Sequence, residues 1–97
     1  MGEDSQRKSS VAKLGEIAYP IEFPIKVMGR REPSFAKAVV DIVRKHAPDF
    51  DEATVQMRLS RKNTYLSVTC TIDAKSREQL DALYRELNDH PAVVMVL

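Results

Sequence analysis

Apolar and polar residues alternate along three stretches of the chain, and this period of two predicts half-buried β-strands. The stretches begin near residues 21, 55 and 65, and a short apolar run over residues 92–97 predicts a fourth strand. The positions expected to face inward are Phe23, Ile25 and Val27, then Val55, Met57 and Leu59, and finally Leu66, Val68, Cys70 and Ile72. Each strand therefore has one apolar face to bury.

Two intervening stretches have apolar residues at every third or fourth position, which is typical of amphipathic helices. The first helix is expected to begin at Pro33, whose φ suits the first helical turn, and to end before Pro48. The second opens with Ser76 and Gln79 at capping-box spacing and ends before Pro91. Between the second and third strands, Asn63 is expected to take a positive φ in a tight turn.

The predicted order of elements is β-α-β-β-α-β, which indicates a ferredoxin-like α+β sandwich. Its sheet has four antiparallel strands in the order 4-1-3-2, and right-handed crossovers place both helices on one face. Residues 1–13 are polar and lack periodicity. We therefore expect a flexible N-terminal tail over residues 1–13, followed by a single domain over residues 14–97.

Composition narrows the class of protein without identifying a function. The 97 residues are 43% hydrophobic and 30% charged, with 15 Lys and Arg against 14 Asp and Glu and a net charge of +1. These values are ordinary for a globular domain and provide no global charge for nucleic acid. The apolar runs are far shorter than a membrane span requires, and no signal-peptide pattern is visible. We expect a cytoplasmic protein that does not enter a membrane.

No group of residues has the spacing of a catalytic or metal-binding set. Cys70 is the single cysteine, which excludes an internal disulfide and any Cys-x-x-Cys motif. His46 continues the apolar stripe of the first helix, and His90 precedes Pro91 in a loop. Neither histidine has an evident Ser or Cys nucleophile beside it. The sequence therefore predicts no enzyme activity, no cofactor and no metal.

The predicted topology gathers basic residues at one end of the sheet. This end contains the loop after the first strand, the turn between the second and third strands, and the loop before the fourth. These segments supply Arg30, Arg31, Arg61, Lys62 and His90. Guanidinium groups beside a helix N-terminus bind carboxylates and phosphates, so these five residues are candidate contacts for a small anionic ligand. The alternatives are ordinary solvated loops and a basic edge that docks a protein.

The sheet face without helices, called the open face below, is expected to be half polar and half apolar. Met28, with Val93, Met95 and Leu97 of the last strand, forms the apolar half, and an exposed apolar edge favours pairing with another chain. We predict that these residues form the interface of a homodimer or of a complex with a protein partner. RNA binding through this face is not favoured, because Tyr65 is the one aromatic residue that the two central strands direct outward. Arg58, Arg61 and Lys62 leave a weak electrostatic mode of RNA binding open.

Several segments resemble the YbeD family of small bacterial proteins, over roughly residues 14–97. They are Tyr19-Pro20, Phe23-Pro24-Ile25-Lys26-Val27-Met28-Gly29, His46-Ala47-Pro48, Asn63-Thr64-Tyr65-Leu66-Ser67-Val68 and Val94-Met95-Val96-Leu97. The resemblance implies a βαββαβ domain similar to ACT domains, which are regulatory modules that bind small ligands such as amino acids, often at dimer interfaces. Members of the family are labelled lipoic-acid-binding regulatory proteins, and the resemblance supplies no catalytic residue.

Residues and resemblance together predict a non-enzymatic regulatory or ligand-binding module of the bacterial cytoplasm, with a link to lipoate metabolism. The alternative is an adaptor that binds another protein through its C-terminal edge strand or its open sheet face. The first hypothesis places the functional contacts at the basic end of the sheet. The second places them on the apolar residues of the last strand.

Overall fold

The computed structural model describes residues 18–97, so the predicted tail over residues 1–13 lies outside the described part of the chain. The order of elements is β-α-β-β-α-β, with a short 3-10 turn before the second strand. The elements are β1 (Ile21–Arg30), α1 (Phe35–His46), the 3-10 turn (Glu52–Thr54), β2 (Gln56–Leu59), β3 (Tyr65–Ala74), α2 (Arg77–Asp89) and β4 (Val93–Val96).

The strands form one antiparallel sheet in the order β2-β3-β1-β4, which confirms the predicted topology. The two long central strands pair without interruption, from Ile21 opposite Ala74 to Arg30 opposite Tyr65. Pro24 lies inside β1 although proline cannot donate a ladder hydrogen bond. The neighbouring Lys26 N–H donates to the Leu97 carbonyl on the β4 side, and the β4 pairing stops there. Proline is tolerated because its missing donor would face a side that has no strand.

The core lies between the sheet and the two helices. Strands β1 and β3 provide one side, and the apolar stripes of α1 and α2 provide the other. Its largest fully buried side chains are Ile25, Val27, Phe35, Val39, Val43, Val68, Cys70, Ile72, Leu80, Leu83 and Leu87. Burial raises the pKa of the Cys70 thiol to about 11, so the group stays protonated and unreactive at neutral pH.

The sequence predicts a turn at Asn63, a helix cap at Ser76 and a helix start at Pro33, and the structure confirms the first two. Asn63 has a φ of 59°, as the turn between β2 and β3 requires. The Ser76 hydroxyl accepts a hydrogen bond from the Gln79 N–H at 3.1 Å and caps α2. The expectation for Pro33 is wrong, because α1 begins at Phe35 and Pro33 lies in the turn before it. The Phe35 N–H is satisfied by the Glu32 carbonyl at 3.1 Å, which sets the start of the helix later.

The expected burial of β2 is also wrong. Met57 and Leu59 are 60% and 43% exposed, although their alternation predicts an inward face. Leu59 lies opposite Leu66 and Met57 opposite Val68, which places both on the helix side of the sheet. β2 is an edge strand, and the two helices cover the other three strands. The apolar face of β2 therefore remains open to solvent.

Val93 also lies on a different face of the sheet from the one expected. The pairing of β1 with β4 shifts register between Met28 and Gly29, so that Val93 lies opposite Gly29 and Met95 opposite Met28. Val93 consequently packs against the core on the helix side. Met95 instead lies on the open face. A β-bulge is the physical reason, because one extra residue reverses the alternation of the strand.

Gly29 is the point where three segments meet most closely. A Cβ atom at this position would overlap the ring of Phe35, the first residue of α1, and the carbonyl oxygen of Ala92 before β4. The backbone of Gly29 has no positive φ, so its requirement for glycine is one of space. Residue 29 therefore has to be glycine for α1 and the loop before β4 to pack onto β1.

We expect Gly29→Ala to lower the free energy of unfolding by about 1–3 kcal/mol, because overpacking forces neighbouring groups to move. Urea unfolding followed by circular dichroism measures this change. The variant Gly29→Ala with Phe35→Leu provides the control, since the smaller side chain relieves the overlap with the ring. The double variant should be less destabilised than the sum of the two single changes. Additive losses would contradict the contact.

Candidate basic site at one end of the sheet

The structure places the three basic segments at the same end of the sheet, as the topology predicts. The Arg31 N–H donates to the Thr64 carbonyl at 3.0 Å, which sets the loop after β1 beside the β2–β3 turn. The Arg30 N–H donates to the Ala92 carbonyl at 3.4 Å, which sets the same loop beside the segment before β4. Arg61 and Lys62 lie exposed in the β2–β3 turn.

The two consecutive arginines do not share a face. Arg30 is the last residue of β1 and lies opposite Tyr65, which belongs to the open face. Arg31 lines a groove on the helix side, together with residues of β2. The two side chains belong to different surfaces, so the pair does not grip one small anion as a fork. The five predicted contacts therefore belong to more than one surface.

His90 lies apart from the cations of the β2–β3 turn. It ends α2, and its Nδ1 atom accepts a hydrogen bond from the Ala92 N–H at 3.1 Å. The loop that contains it flanks Arg30 on the β4 side, whereas Arg61 and Lys62 lie on the β3 side. This bond fixes the turn before β4, which gives His90 a structural role.

Ion pairs divide the cations of residues 18–97 into two groups. On the helices and at the far end of the sheet, Lys37, Arg44, Lys45, Lys75 and Arg77 each have a carboxylate partner. The remaining cations have no carboxylate within 4.0 Å in the described part of the chain. They are Lys26, Arg30, Arg31, Arg58, Arg61, Lys62 and Arg85. All but Arg85 lie on β1, on the β2–β3 hairpin or in the loop after β1, so positive charge is concentrated there.

A groove of about 470 Å³ runs between β2 and the start of α1. Its floor is apolar, because the helices leave the exposed side of β2 uncovered. Two unpaired cations, Arg31 and Arg58, stand at its rim. The lining residues are Arg31, Glu32, Pro33, Met57, Arg58, Leu59 and Leu66. We call this surface the β2 groove.

A second depression lies on the open face, and its larger part is mainly polar. Two adjoining hollows of about 470 and 160 Å³ share Lys26, Arg58 and Ser67 among their lining residues. The register explains the arrangement, because Lys26 lies opposite Thr69 on β3, and Ser67 lies opposite Arg58 on β2. We call this surface the open-face trough. Arg58 lines both the trough and the β2 groove, since it lies on an edge strand.

His46 is half-buried between the two helices. Its Nε2 atom lies 2.7 Å from a Glu86 carboxylate oxygen, and Lys45 Nζ lies 3.1 Å from the same oxygen. The Gln79 side chain also donates to the His46 carbonyl at 2.9 Å. These contacts join the end of α1 to α2. The hydrogen bond from His46, and after it the hydrogen bond from Lys45, lowers the pKa of Glu86.

Between residues 18 and 97, no three His, Cys, Asp or Glu side chains are grouped closely enough to hold a metal ion. No helix in this range is both long and apolar enough to cross a bilayer.

The four-stranded sheet with two helices is an α+β fold similar to that of ACT domains. The solution structure of the ACT domain from GTP pyrophosphokinase of Chlorobium tepidum aligns with a TM-score of 0.61 and 17% identity, over 79% of this chain and 83% of that chain. The crystal structure of the same domain aligns with a TM-score of 0.57. At this level of identity the similarity concerns the fold.

Sequence comparison gives the family. Residues 15–97 match the family described as "Protein of unknown function (DUF493)". A UPF0250 protein of Nitrosomonas europaea is 54% identical over 81 residues, which are 84% of this chain and 93% of the relative. A UPF0250 protein of Bordetella pertussis is 52% identical over 84% of this chain and 89% of its own length. The chain therefore belongs to the DUF493 family, whose relatives named here are UPF0250 proteins, and the resemblance to YbeD proteins is confirmed.

Sequence reasoning missed the β2 groove. The alternation in β2 predicts that Met57 and Leu59 face the core, and it gives no indication of a groove there. The available signal was the short length of β2 at the edge of the predicted sheet order, since an edge strand is the last to be covered by two helices. Alternation alone does not report how far a helix extends.

We expect Glu86→Gln to lower stability at neutral pH and to have little effect in acid. A carboxyl group with a lowered pKa stabilises the fold above its ordinary value, 4.5, and this contribution is lost as the pH falls through the lowered value. The measurement is urea unfolding of both proteins at pH 7 and at pH 3. Glu78→Gln, on the same helix and without an ion pair in residues 18–97, should show a smaller difference. An equal loss at both pH values would contradict the role of the carboxylate.

Proposed function

We propose that this protein is a small regulatory module that binds an anion with an apolar body in the β2 groove. The observation that supports this function is the combination of an apolar floor with two lining arginines, Arg31 and Arg58, that have no carboxylate partner within residues 18–97. A volume of about 470 Å³ lies within the range of small-molecule sites. The proposed role is non-enzymatic, because the groove contains no nucleophile or general base with a catalytic partner.

The floor favours a ligand with a hydrocarbon or aromatic body. Met57 and Leu59 remain 60% and 43% exposed, and a bound apolar group would remove part of this area from water. Methionine adapts its shape to irregular partners, which suits a binding surface. A purely polar ligand would leave these side chains hydrated and gain nothing from them.

The rim favours a carboxylate or a phosphate. Arg31 and Arg58 approach the groove from the loop after β1 and from the edge strand, and neither has a carboxylate partner within residues 18–97. Forked guanidinium donors match the oxygen pair of a carboxylate. Glu32 also lines the groove, and it would repel an anion placed near it. We therefore place the anionic group between the two arginines.

The family resemblance suggests the first compounds to examine. Lipoate has a carboxylate and an apolar ring-bearing chain, which are the two features that the β2 groove selects. Amino acids with large apolar side chains share part of this chemistry and are the ligands expected of ACT domains. Of the residues predicted from sequence, Arg31 is retained here. Arg30, Arg61, Lys62 and His90 become neighbours rather than contacts.

We expect lipoate or octanoate to shift the backbone amide signals of residues 31, 32, 57–59 and 66 in an NMR titration with labelled protein. Arg31→Ala should weaken this binding about tenfold, since it removes a charged hydrogen bond worth about 1.5–3 kcal/mol. Arg85→Ala, which removes an exposed arginine of α2, is the matched control and should leave the affinity unchanged.

A panel of amino acids and short fatty acids completes the experiment. Shifts confined to the open face, or equal weakening by Arg31→Ala and Arg85→Ala, would place the ligand elsewhere. No shifts with any compound at millimolar concentration would reject the proposed function.

The edge strand β4 supports a second candidate, in which the chain pairs with a second copy or with another protein. Val94, Met95 and Leu97 are 56%, 46% and 53% exposed, and they continue the apolar strip that begins at Met28. The outer side of β4 has no partner strand in the described part of the chain, so its backbone groups are available to extend the sheet. This candidate retains the predicted interface residues except Val93, which packs inward.

We expect the wild-type protein to sediment as a dimer and Val94→Glu to sediment as a monomer, because a charge at the paired edge must be desolvated. Analytical ultracentrifugation over a range of concentrations makes the measurement. Met57→Glu places the same charge on the opposite edge strand and serves as the control. A monomer that still captures a protein partner, and loses it on Met95→Glu, would favour the adaptor hypothesis over the dimer.

A further inference from the structure

The open-face trough is separate from the β2 groove and has different chemistry. Its hollows are lined mainly by Lys26, Gln56, Arg58, Ser67, Thr69 and Tyr65, with Met57, Leu59 and Met28 at the margins. The larger hollow contains the Ser67 and Thr69 hydroxyls, and small molecules generally bind in more apolar pockets. Two adjoining hollows along the sheet suit an extended partner that makes several contacts.

The cations of this face are arranged over a distance that one small anion cannot span. Lys26 and Arg30 lie four residues apart on the same side of β1, which corresponds to about 13 Å. Arg58 lies two strands away from β1, at about 10 Å across the sheet. Arg61 and Lys62 extend the charge beyond the end of the strands. Neutralising this set requires a chain of negative groups.

Tyr65 provides the one aromatic surface of the face. It lies opposite Arg30 at the charged end of the central strands, and it is 37% exposed. A tyrosine ring beside a guanidinium group can stack on a nucleobase while the cation contacts the adjacent phosphate. Ser67 and Thr69 offer hydroxyl groups between the cations, where a sugar or phosphate would lie.

We propose that the open-face trough binds single-stranded RNA through its phosphates, with Tyr65 stacked on one base. The partner is recognised by its charge spacing and by one stacking contact, and sequence preference is weak. A platform of several aromatic residues is absent from the open face of residues 18–97. Binding to phosphates depends instead on the cations, and the structure shows that those of the open face have no carboxylate partner within residues 18–97.

An acidic protein segment is the competing occupant, and the aromatic contact distinguishes it from RNA. Carboxylates would pair with the cations equally well, but they would make no use of an exposed tyrosine at the centre of the charge. The acidic residues of the face, Glu22 and Asp73, lie opposite each other at the far end of β1 and β3. A polyanion is therefore confined to the end that contains Arg30 and Tyr65.

The test is fluorescence anisotropy of a labelled single-stranded RNA of eight to ten uridines, titrated with the protein at several salt concentrations. Three or four phosphate contacts predict a slope of about −2 to −3 in a plot of log K against log salt. Lys26→Ala with Arg30→Ala should weaken binding about tenfold or more at roughly 0.1 M salt and reduce the slope by about 1.4. Neither residue lines the β2 groove, so this variant leaves the proposed regulatory site intact.

Two further variants separate a site from general charge. Lys37→Ala with Arg85→Ala removes the same net charge from the helix side and should change the affinity less than twofold. Tyr65→Ala should weaken binding at least about fivefold, and Tyr65→Phe should restore it, because the ring is retained. Circular dichroism melting of each variant checks that the fold is unchanged.

Four results would overturn the proposal. The first is the absence of binding to the RNA at low salt, and the second is equal weakening by the open-face and helix-side pairs. The third is an unchanged affinity after Tyr65→Ala. The fourth is displacement of the RNA by an equimolar polyglutamate peptide as effectively as by unlabelled RNA, which would assign the face to acidic proteins.

Discussion

The close packing of two segments against Gly29 is the constraint on which the rest of this end of the molecule depends. Because residue 29 has no side chain, the ring of Phe35 and the carbonyl of Ala92 can both approach β1. The contact with the Phe35 ring fixes where α1 begins, and the contact with the Ala92 carbonyl fixes the loop before β4. The loop between β1 and α1 is held from both sides, so Arg31 and Pro33 are directed towards β2. The β2 groove is a consequence of this packing.

The second constraint is the number of helices. Two helices on a four-stranded sheet cover β1, β3 and the inner side of β4, and β2 remains at the edge. An antiparallel sheet tolerates water on one face, but the helix-side face of β2 has apolar residues without cover. The fold therefore produces an exposed apolar strip at the position where the rim cations accumulate. The proposed binding site follows from this incomplete coverage of β2.

The sequence predicted the order of elements, the sheet topology and most of the core, because alternation and helical spacing report which side of an element is apolar. The prediction was wrong where the burial of a side chain, or the face on which it lies, depends on tertiary contacts. Met57 and Leu59 have the inward pattern, yet burial depends on the reach of α1. Val93 changes face because of a bulge that no local signal announces. The segments that contain the predicted basic residues do lie at one end of the sheet. Arg30 ends β1 on the open face, whereas Arg31 follows it and lines the β2 groove, and the prediction did not separate the two.

Ion pairing is the property that is hardest to predict from the sequence. A net charge of +1 suggests an electrically neutral surface, and the counts of acids and bases do not show which partners meet. In the fold, the acidic residues of the helices and of the far end neutralise the cations near them. Within residues 18–97, the cations of β1 and of the β2–β3 hairpin have no carboxylate partner. A neutral chain thus becomes strongly polarised. Function inferred from net charge alone would have overlooked the basic surface.

The β2 groove and the open-face trough meet at a single side chain. Arg58 lies on an edge strand, where its long side chain can reach over either face of the sheet, and it lines both surfaces. Under the two proposals, an anion in the groove holds this guanidinium on the helix side and withdraws a cation from the trough. Thermodynamic linkage then requires that each ligand lower the binding affinity of the other by the same factor. Regulation of RNA binding by a small anion would need no conformational change beyond one arginine rotamer, which is the least demanding way for a domain of this size to couple two sites.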